Sequence, residues 1–271
     1  MPELPEVETI RLELLEKLPL PLRLEKVLLR RKDLRNQFPI RQIKAFEGKV
    51  LQKLLRRSKY LLFDFGECGL LSHLGMTGNW RLEKGEGELY HHDHIRLIFE
   101  SGFSLTYQDP RRFGYFDVYK SIQTHSLLEK IGPEPLGGDF SGTVLWKKTR
   151  KRSAPIKNLL MNQQIVAGVG NIYASEVLFR ARVKPSRRSS SLKREECDQI
   201  VEELKKLLKE AIALGGSSFD DFRHASGEKG DFQKYFSVYN QAGKACLKCG
   251  TPIRKKNFAG RSTFWCPHCQ S

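Results

Sequence analysis

The segment Cys246-Leu247-Lys248-Cys249 is followed, after sixteen residues, by Cys266-Pro267-His268-Cys269. Each CxxC pair places two thiolates on one tight turn, and two such turns supply the four ligands of a tetrahedral zinc site. Four cysteines leave no open position for a substrate, so we expect one structural zinc ion held by Cys246, Cys249, Cys266 and Cys269. A segment of about 30 residues has too little apolar surface to fold alone, and metal binding would supply its folding energy. The pattern therefore predicts a zinc ribbon.

Positive charge is the strongest signal in the composition. The 271 residues include 47 Lys and Arg against 31 Asp and Glu, which gives a formal net charge of +16 at pH 7. A surplus of this size favours a polyanionic partner, usually nucleic acid. The basic residues also cluster, in the hairpin between the cysteine pairs and in two stretches upstream of it. The two stretches comprise Lys147, Lys148, Arg150, Lys151, Arg152 and Lys157, and Arg180, Arg182, Lys184, Arg187 and Arg188.

The remaining composition excludes several classes of protein. Hydrophobic residues make up 39% of the chain and charged residues 29%, which is typical of a globular protein rather than a disordered one. No apolar run approaches the ~18 residues that a membrane helix needs, and the first residues do not resemble a signal peptide. We therefore expect a cytoplasmic protein with no membrane partner and no disulfide framework.

The first half of the chain predicts a helix followed by short strands. Val7, Ile10, Leu14 and Leu18 recur at helical spacing, and Pro19 ends the run. Segments rich in β-forming residues and separated by turn signals then follow at 50–57, 60–65, 70–76, 94–100, 104–108 and 115–119. Short strands at this density are typical of a sandwich or barrel.

The second half of the chain predicts helices. Residues 121–139 are rich in Pro and Gly and mark a boundary, after which helices are expected at 156–162 and 171–180. A longer helix capped by Ser191 follows, with the apolar stripe Cys197, Ile200, Val201, Leu204, Leu207, Leu208 and Ala211. The polar segment 217–230 is expected to be a mobile loop. We predict domains at 1–130, 131–235 and 236–271.

The run His91-His92-Asp93-His94 leads into a predicted strand. Residues i and i+2 of a strand share a face, so His92 and His94 could chelate a metal. An imidazole that contacts phosphate and a packed histidine are the alternative interpretations, and both are favoured over the metal.

The start of the chain carries a possible nucleophile. Removal of Met1 is expected because the next residue, Pro2, is small, and removal would expose a secondary amine. An α-amino group titrates near pH ~8, so part of it is unprotonated near neutrality. Condensation of such an amine with an aldehyde gives a cationic iminium, and Glu3 beside it could act as general acid or base. The alternative from the residues alone is an ordinary helix start.

Several further segments occur together along the chain. They are Pro2-Glu3-Leu4-Pro5-Glu6-Val7-Glu8, Arg57-Ser58-Lys59-Tyr60-Leu61, His73-Leu74-Gly75-Met76-Thr77-Gly78, Asp109-Pro110-Arg111-Arg112-Phe113-Gly114, Gly132-Pro133-Glu134-Pro135-Leu136, Gly168-Val169-Gly170-Asn171-Ile172-Tyr173-Ala174-Ser175-Glu176 and Ala259-Gly260-Arg261. In this order, and with the zinc ribbon, they resemble formamidopyrimidine-DNA glycosylase, a family of bacterial base-excision repair enzymes. The resemblance runs from residue 2 to residue 269.

The resemblance implies an α+β multidomain fold. An N-terminal β-sandwich with a leading helix would be followed by a helical domain with a helix–two-turn–helix motif and a β-hairpin zinc finger with four cysteines. The implied enzyme is a monomeric DNA glycosylase and AP lyase that removes oxidised purines, such as 8-oxoguanine and formamidopyrimidines, from double-stranded DNA. It would then cleave the abasic site by β,δ-elimination.

The resemblance also implies roles for individual residues. Pro2 would be the nucleophile at C1′, and Glu3 the acid or base that assists opening of the sugar ring. Lys59 would lie near the reacting nucleotide, and Arg261 would grip phosphate and assist the second elimination. The implied contacts to DNA are His73, His92, Arg152 and Asn171.

Three further side chains would fill the gap that a flipped base leaves in the duplex. The matches are Met76, Arg111 and Phe113; for Met76 and Phe113 the alternative is core packing. Arg can hydrogen-bond the partner base, and Met and Phe can wedge or stack. In the segment 217–230, Ser218 and Phe222 are candidates for contact with the flipped base.

Two rival functions remain at this point. The endonuclease VIII branch, which removes oxidised pyrimidines, usually begins Pro-Glu-Gly, whereas Leu4 stands at the third position here. The second rival is a zinc-ribbon protein that binds DNA without catalysis, and the intact Pro2, Glu3 and Lys59 argue against it.

Overall fold

A computed structural model describes residues 1–85, 87–218, 230–258 and 260–271. The chain forms two compact units. The first comprises Met1–Glu129 with the described residues of Leu214–Asp231, and the second comprises Lys130–Ala213 and Phe232–Ser271. The division into domains at 1–130, 131–235 and 236–271 stays a prediction.

The first unit begins with helix α1, Leu4–Lys17, as the apolar spacing predicts. Glu3 is the N-cap, and its backbone N–H donates to Glu6 Oε2 at 2.8 Å, which is one half of a capping box. Pro5 lies in the first turn, where its missing N–H costs nothing. The helix buries Val7, Ile10 and Leu14 and ends before Pro19.

In the described part of the first unit, nine antiparallel strands follow α1, with a short helix between the first two. They are β1 Leu22–Leu29, α2 Ile40–Lys44, β2 Val50–Leu51, β3 Lys53–Arg57, β4 Tyr60–Asp64, β5 Gly69–His73, β6 Asn79–Lys84, β7 Asp93–Phe99, β8 Phe103–Gln108 and β9 Tyr115–Tyr119. The five-stranded sheet has the order β2-β1-β7-β8-β6, and the four-stranded sheet has the order β3-β4-β5-β9.

The two sheets share one aromatic core. The ring of Trp80, on β6 of the first sheet, lies 5.1 Å from that of Phe63 and 6.1 Å from that of Phe116, both on the second sheet. Its indole N–H donates to Ser72 Oγ at 3.0 Å, so the buried polar atom is satisfied. Packing across the two sheets confirms the predicted β-sandwich.

Two strands were not predicted, and each has a physical reason. In β1 the register shifts between Leu24 and Lys26, and this irregularity interrupts the alternation of apolar residues that marks a strand. Strand β6 lies at the edge of its sheet, and its alternation is short, because Trp80 and Leu82 are its only two apolar residues.

The second unit is helical and ends in a hairpin. Its helices are α3 Gly142–Thr149, α4 Ile156–Leu160, α5 Asn171–Arg180 and α6 Arg194–Ala213, and its strands are β10 Arg254–Phe258 and β11 Arg261–Trp265. The predicted apolar stripe of α6 is buried throughout. Within the described part of the chain, none of the helices combines the length and the apolar character that crossing a bilayer requires.

The cap predicted for α6 is wrong. Ser191 lies in a 3₁₀ turn, Ser189–Ser191, and its hydroxyl donates to the Arg188 carbonyl at 2.8 Å. The helix begins later, at Arg194. The Glu196 carboxylate, in the first turn of the helix, accepts from the Lys193 N–H at 2.8 Å and so satisfies a backbone donor that the predicted serine cap does not reach.

Candidate functional site

The start of α1 is held by a buried carboxylate. Glu3 is 3% exposed and Glu6 is 1% exposed. Glu6 Oε2 accepts from the Glu3 N–H, while Glu6 Oε1 accepts from the backbone N–H and the hydroxyl of Ser217 at 2.8 and 3.0 Å. Glu6 thereby ties the segment that carries Pro2 and Glu3 to the beginning of the 217–230 segment.

In the sequence, Glu6 stands out only as one member of the N-terminal motif Pro2–Glu8. The spacing of Glu3 and Glu6 contains the capping-box signal, which would have identified the first contact. The contact with Ser217 joins residues 211 positions apart, and no local pattern predicts it.

Lys59 lies at the turn between β3 and β4. The turn needs a positive φ, and Ser58 adopts +56°. Arg56, on β3, donates to Glu8 of α1 at 2.8 Å, so the helix and the hairpin are joined next to Lys59. Burial alone would raise the pKa of Glu8, but Arg11 and Arg56 lower it below its ordinary value. Lys59 itself is 6% exposed.

His73 ends β5 opposite Tyr60. Burial lowers the pKa of His73 to about 4, and the positive charges of Lys59, Arg35 and the N-terminal amine act in the same direction. The imidazole is therefore neutral at pH 7, and its Nδ1 accepts from the Gly75 N–H at 3.0 Å. This leaves Nε2 as the protonated nitrogen, a neutral donor suited to a phosphate oxygen. The structure thus brings the N-terminal amine, Lys59 and His73 into one positively charged neighbourhood.

The depressed pKa of His73 makes stability depend on pH. Between about pH 6.5 and pH 4 the unfolded chain takes up the proton while the folded chain does not, so the free energy of unfolding falls as the pH is lowered. From pH 7 to pH 5 the loss is about 2 kcal/mol. Urea denaturation should show that His73→Gln removes this loss, whereas His91→Gln, at an exposed histidine, keeps it. Equal losses in wild type and His73→Gln would contradict the assignment.

The side chains matched to gap filling project from two loops of the first unit. Met76 follows β5 and is 36% exposed, and Phe113 lies between β8 and β9 and is 45% exposed. The Arg111 guanidinium lies 4.7 Å from the centre of the Phe113 ring. The exposure of Met76 and Phe113 argues against the alternative of core packing.

The histidine run divides between two environments. His94 is 4% exposed, and its Nε2 lies 2.9 Å from the Asp109 carbonyl, so it is a packed histidine. His92 precedes β7 and is exposed. It lines a surface pocket of about 380 Å³ with Arg30, Arg31 and Arg112, which is a cationic environment suited to phosphate rather than to a metal ion.

In the second unit, a buried lysine holds Asn171. Lys157 is 1% exposed, and its ammonium donates to Asn171 Oδ1 at 2.6 Å, to the Ser262 carbonyl at 3.0 Å and to Thr263 Oγ1 at 2.8 Å. Because Oδ1 is engaged, the amide nitrogen of Asn171 is the atom left to donate to a ligand. Lys157 therefore joins the start of α5 to the start of β11, next to Arg261.

The sequence does not predict this internal role for Lys157. Lys157 stands in a stretch of basic residues that suggests a solvated, nucleic-acid-binding surface. Arg152 of the same stretch is exposed, as is Arg261 at the end of the hairpin. The sequence signal for burial at this position is the set of apolar neighbours Ile156, Leu159 and Leu160. All three are buried, together with Lys157, in α4.

Replacement of Lys157 by methionine should weaken both the second unit and its contact with nucleic acid. Removal of the ammonium leaves three acceptors without this donor, which should cost about 2–4 kcal/mol of unfolding free energy. Affinity for duplex DNA should fall about tenfold as Asn171 loses its orientation. Lys147→Met removes the same charge from an exposed position and should leave stability unchanged. Identical urea unfolding and fluorescence anisotropy for the two variants would refute the positioning role.

The four cysteines of the ribbon come together as predicted. Their sulfur atoms all lie within 4.8 Å of one another, with Cys246 and Cys269 at 3.9 Å and Cys249 and Cys266 at 3.5 Å. A tetrahedral zinc ion with Zn–S bonds of about 2.3 Å separates its sulfurs by about 3.8 Å. The cluster therefore fits one structural zinc, and among the described residues it is the only group of this kind.

Ser218 and Phe222 were the candidates for contact with a flipped base. Ser218 Oγ accepts from the Gly230 N–H at 2.8 Å, and Ser217 pairs with Asp231, so the two ends of the segment meet. Phe222 lies outside the described residues, as does most of the predicted loop.

Family models match three consecutive parts of the chain. Residues 1–116 match the formamidopyrimidine-DNA glycosylase N-terminal domain, and residues 131–223 match the H2TH domain of the same family. Residues 243–271 match a zinc finger found in FPG and IleRS.

Whole proteins and solved structures match over their full length. Formamidopyrimidine-DNA glycosylase of Bdellovibrio bacteriovorus is 47% identical over 274 residues, and that of Thioalkalivibrio sulfidiphilus is 44% identical over 271, each with complete coverage of both chains. A Lactococcus lactis FPG mutant in complex with Fapy-dG DNA superposes with a TM-score of 0.90 at 36% identity and complete coverage of both chains. The MutM (FPG) protein of Thermus thermophilus gives 0.88 at 39% identity, covering 99% of this chain and 98% of the other.

Proposed function

Because the chain belongs to the formamidopyrimidine-DNA glycosylase family, whose members are DNA glycosylases and AP lyases that repair oxidised bases, we propose that it excises oxidised purines from duplex DNA and cleaves the resulting abasic site. The observation that carries the proposal is the charged neighbourhood around the start of α1. There Lys59 and His73 lie close to the N-terminal amine, and Glu6 holds Glu3 in place.

The proposed reaction proceeds through Pro2 after removal of Met1. The proline nitrogen attacks C1′ of the damaged nucleotide while the glycosidic bond breaks, and the departing base takes up a proton from water. The proline nitrogen then gives its own proton to Glu3, Glu3 passes it to the ring oxygen O4′, the sugar opens, and a cationic iminium joins Pro2 to C1′.

The iminium makes the proton on C2′ acidic because it can accept the electron pair. Loss of that proton expels the 3′ phosphate, which is the β-elimination. A second elimination, assisted by Arg261, expels the 5′ phosphate. Lys59 and the Nε2–H of His73 would bind phosphate oxygens at the reacting nucleotide.

The phosphates beside the lesion need a clamp because extrusion of a base bends the backbone. Asn171, through its amide nitrogen, and the exposed Arg152 and Arg261 would provide donors on the second unit. His92 provides one on the first unit. We propose that one copy of the chain acts on one duplex.

Support for the purine substrates comes from solved relatives. Lactococcus lactis FPG has been solved in complex with Fapy-dG DNA and with DNA that contains an abasic site, and MutM in complex with DNA that contains carbocyclic 8-oxo-G. Each of these chains is 36% identical to the present one.

Arg111 is the side chain proposed to read the base opposite the lesion. A well-made base contact contributes ~1–3 kcal/mol, so Arg111→Ala should reduce the preference for cytosine over adenine opposite the lesion about tenfold. Excision rates on the two duplexes measure this ratio. Arg112→Gln, in the same loop, should weaken binding to both duplexes alike. An unchanged ratio in Arg111→Ala would make Arg111 a phosphate or structural contact.

The proposal is tested by excision from duplexes that carry 8-oxoguanine or an oxidised pyrimidine, each opposite cytosine and adenine. We expect fastest release of 8-oxoguanine opposite cytosine. Faster release of pyrimidines would favour the endonuclease VIII branch, and binding without release would favour a non-enzymatic protein.

A further inference from the structure

The two loops that carry Met76, Arg111 and Phe113 are packed backbone against backbone. A Cβ atom on Gly75 would lie 2.4 Å from the Phe113 carbonyl carbon, and Gly75 also has a φ of +67°. A Cβ atom on Gly114 would lie 1.9 Å from the Tyr107 hydroxyl. Only glycine fits at these two positions: Gly75 lets the two loops approach more closely than a side chain would allow, and Gly114 lets the second loop pass over Tyr107 of β8.

A buried carboxylate joins the two loops. Asp109 is fully buried, and its Oδ1 accepts from the Thr77 hydroxyl at 2.5 Å. Its Oδ2 accepts from the Gly114 N–H at 2.7 Å and lies 3.4 Å from the Tyr107 hydroxyl. This carboxylate therefore links the loop that carries Met76 to both ends of the loop that carries Arg111 and Phe113. Hydrogen bonds to a charged acceptor are stronger than those between neutral groups, which strengthens the link.

Thr77 makes a second bond, to the backbone of one of the gap-filling residues. Its Oγ1 accepts from the Arg111 N–H at 3.2 Å while its proton goes to Asp109. The neighbouring Arg112 has a φ of +57°, a conformation that a side chain other than glycine adopts only where its surroundings hold it. One hydroxyl group thus connects Met76, its sequence neighbour, with the backbone of Arg111.

We propose that Thr77 and Asp109 form a latch that sets the positions of Met76, Arg111 and Phe113 before DNA binds. The inference rests on the gap-filling role given to these three side chains under the proposed function. Ordering a loop on binding costs free energy that preorganisation avoids. When the latch is formed, the three side chains are already in position as the base leaves the stack. Without the latch, the free-energy cost of ordering the two loops is added to that of extruding the base. Thr77 and Asp109 are therefore positioning residues and touch no reacting atom.

The test compares Thr77→Val, which keeps the shape and removes the hydroxyl, with Thr77→Ser, which keeps the hydroxyl. Thr149→Val removes the hydroxyl of a buried threonine in the second unit, which donates to the Trp146 carbonyl at 2.6 Å. Three readouts are taken: single-turnover excision of 8-oxoguanine from a duplex, cleavage of a single-stranded abasic oligonucleotide, and hydrogen exchange of the Arg111 amide in the free protein.

We expect Thr77→Val to slow excision from the duplex at least tenfold and to speed exchange of the Arg111 amide at least tenfold. Cleavage of the single strand, which has no stack to fill, should stay within about twofold. Thr77→Ser should restore all three values, and Thr149→Val should match wild type. Wild-type excision by Thr77→Val, equal loss of both activities, or no rescue by Thr77→Ser would overturn the latch.

Failure of the proposed function gives a different result. In that case the wild-type protein releases no oxidised purine from any duplex. The exchange of the Arg111 amide still decides whether Thr77 orders the loop, because that measurement needs no substrate.

Discussion

Protein that retains Met1, or any longer N-terminal extension, is expected to lose both base excision and strand cleavage. A peptide bond at the Pro2 nitrogen removes its nucleophilic electron pair, so neither the C1′ adduct nor the iminium can form. The expected loss is at least a thousandfold, since both steps depend on the same atom. The sharpest comparison uses one preparation before and after proteolytic removal of a tag whose cleavage leaves Pro2 as the first residue. Activity should appear only after cleavage.

Variants of the neighbouring residues should separate the two steps. Pro2→Gly keeps an amine but makes it primary and mobile, so only residual activity should remain. Glu3→Gln should fail to release a base yet still nick DNA that already lacks the base, because the iminium step there requires only Pro2. Lys59→Ala should slow base excision more than cleavage at abasic sites. Equal activity of the tagged and cleaved preparations would exclude Pro2 as the nucleophile.

Loss of zinc is expected to abolish DNA binding while the β-sandwich stays folded. The ribbon packs only a small apolar cluster, which includes Val238, Ile253 and Phe264 around its cysteines. Zinc binding in isolated fingers is worth ~10–16 kcal/mol, so metal ligation dominates the folding of such a segment. Without it, Ser262 and Thr263 no longer hold Lys157, and Arg261 loses its place at the hairpin.

Cys249→Ser or a chelator should release one zinc per chain and reduce affinity for duplex DNA at least a hundredfold. Metal analysis and fluorescence anisotropy measure the two quantities, and hydrogen exchange in β7 and β8 reports on the sandwich. Cys68→Ser removes a thiol that lies outside the cluster and should change neither quantity. Active protein without zinc, or normal binding by Cys249→Ser, would contradict the prediction.

The sequence predicts those features whose signal is local. Helix α5 is found at Asn171–Arg180, as predicted, because glycines punctuate the chain before it and apolar residues run through it. The zinc cluster follows from the spacing of its cysteines alone. The roles of Pro2, Glu3 and Lys59 stay predictions that rest on the family's motifs, and nothing in composition or periodicity would have selected Lys59 among its basic neighbours.

The features that sequence analysis missed depend on contacts between distant residues. Lys157 reaches Thr263, Glu6 reaches Ser217 and Thr77 reaches Asp109, and each partner is determined by the packed fold. Burial also changes the role that a residue type is expected to have. A lysine in a basic stretch proved to be an internal donor, and His73 remains neutral because its surroundings are apolar and positively charged.

The most direct test of the mechanism is borohydride reduction during turnover, followed by mapping of the DNA adduct. Reduction converts the iminium into a stable amine and leaves DNA joined to the protein at the nucleophile. Our prediction is a single adduct on the N-terminal peptide, at the nitrogen of Pro2. Recovery of the adduct on Lys59, or the absence of an adduct from protein that is cleaving DNA, would contradict it.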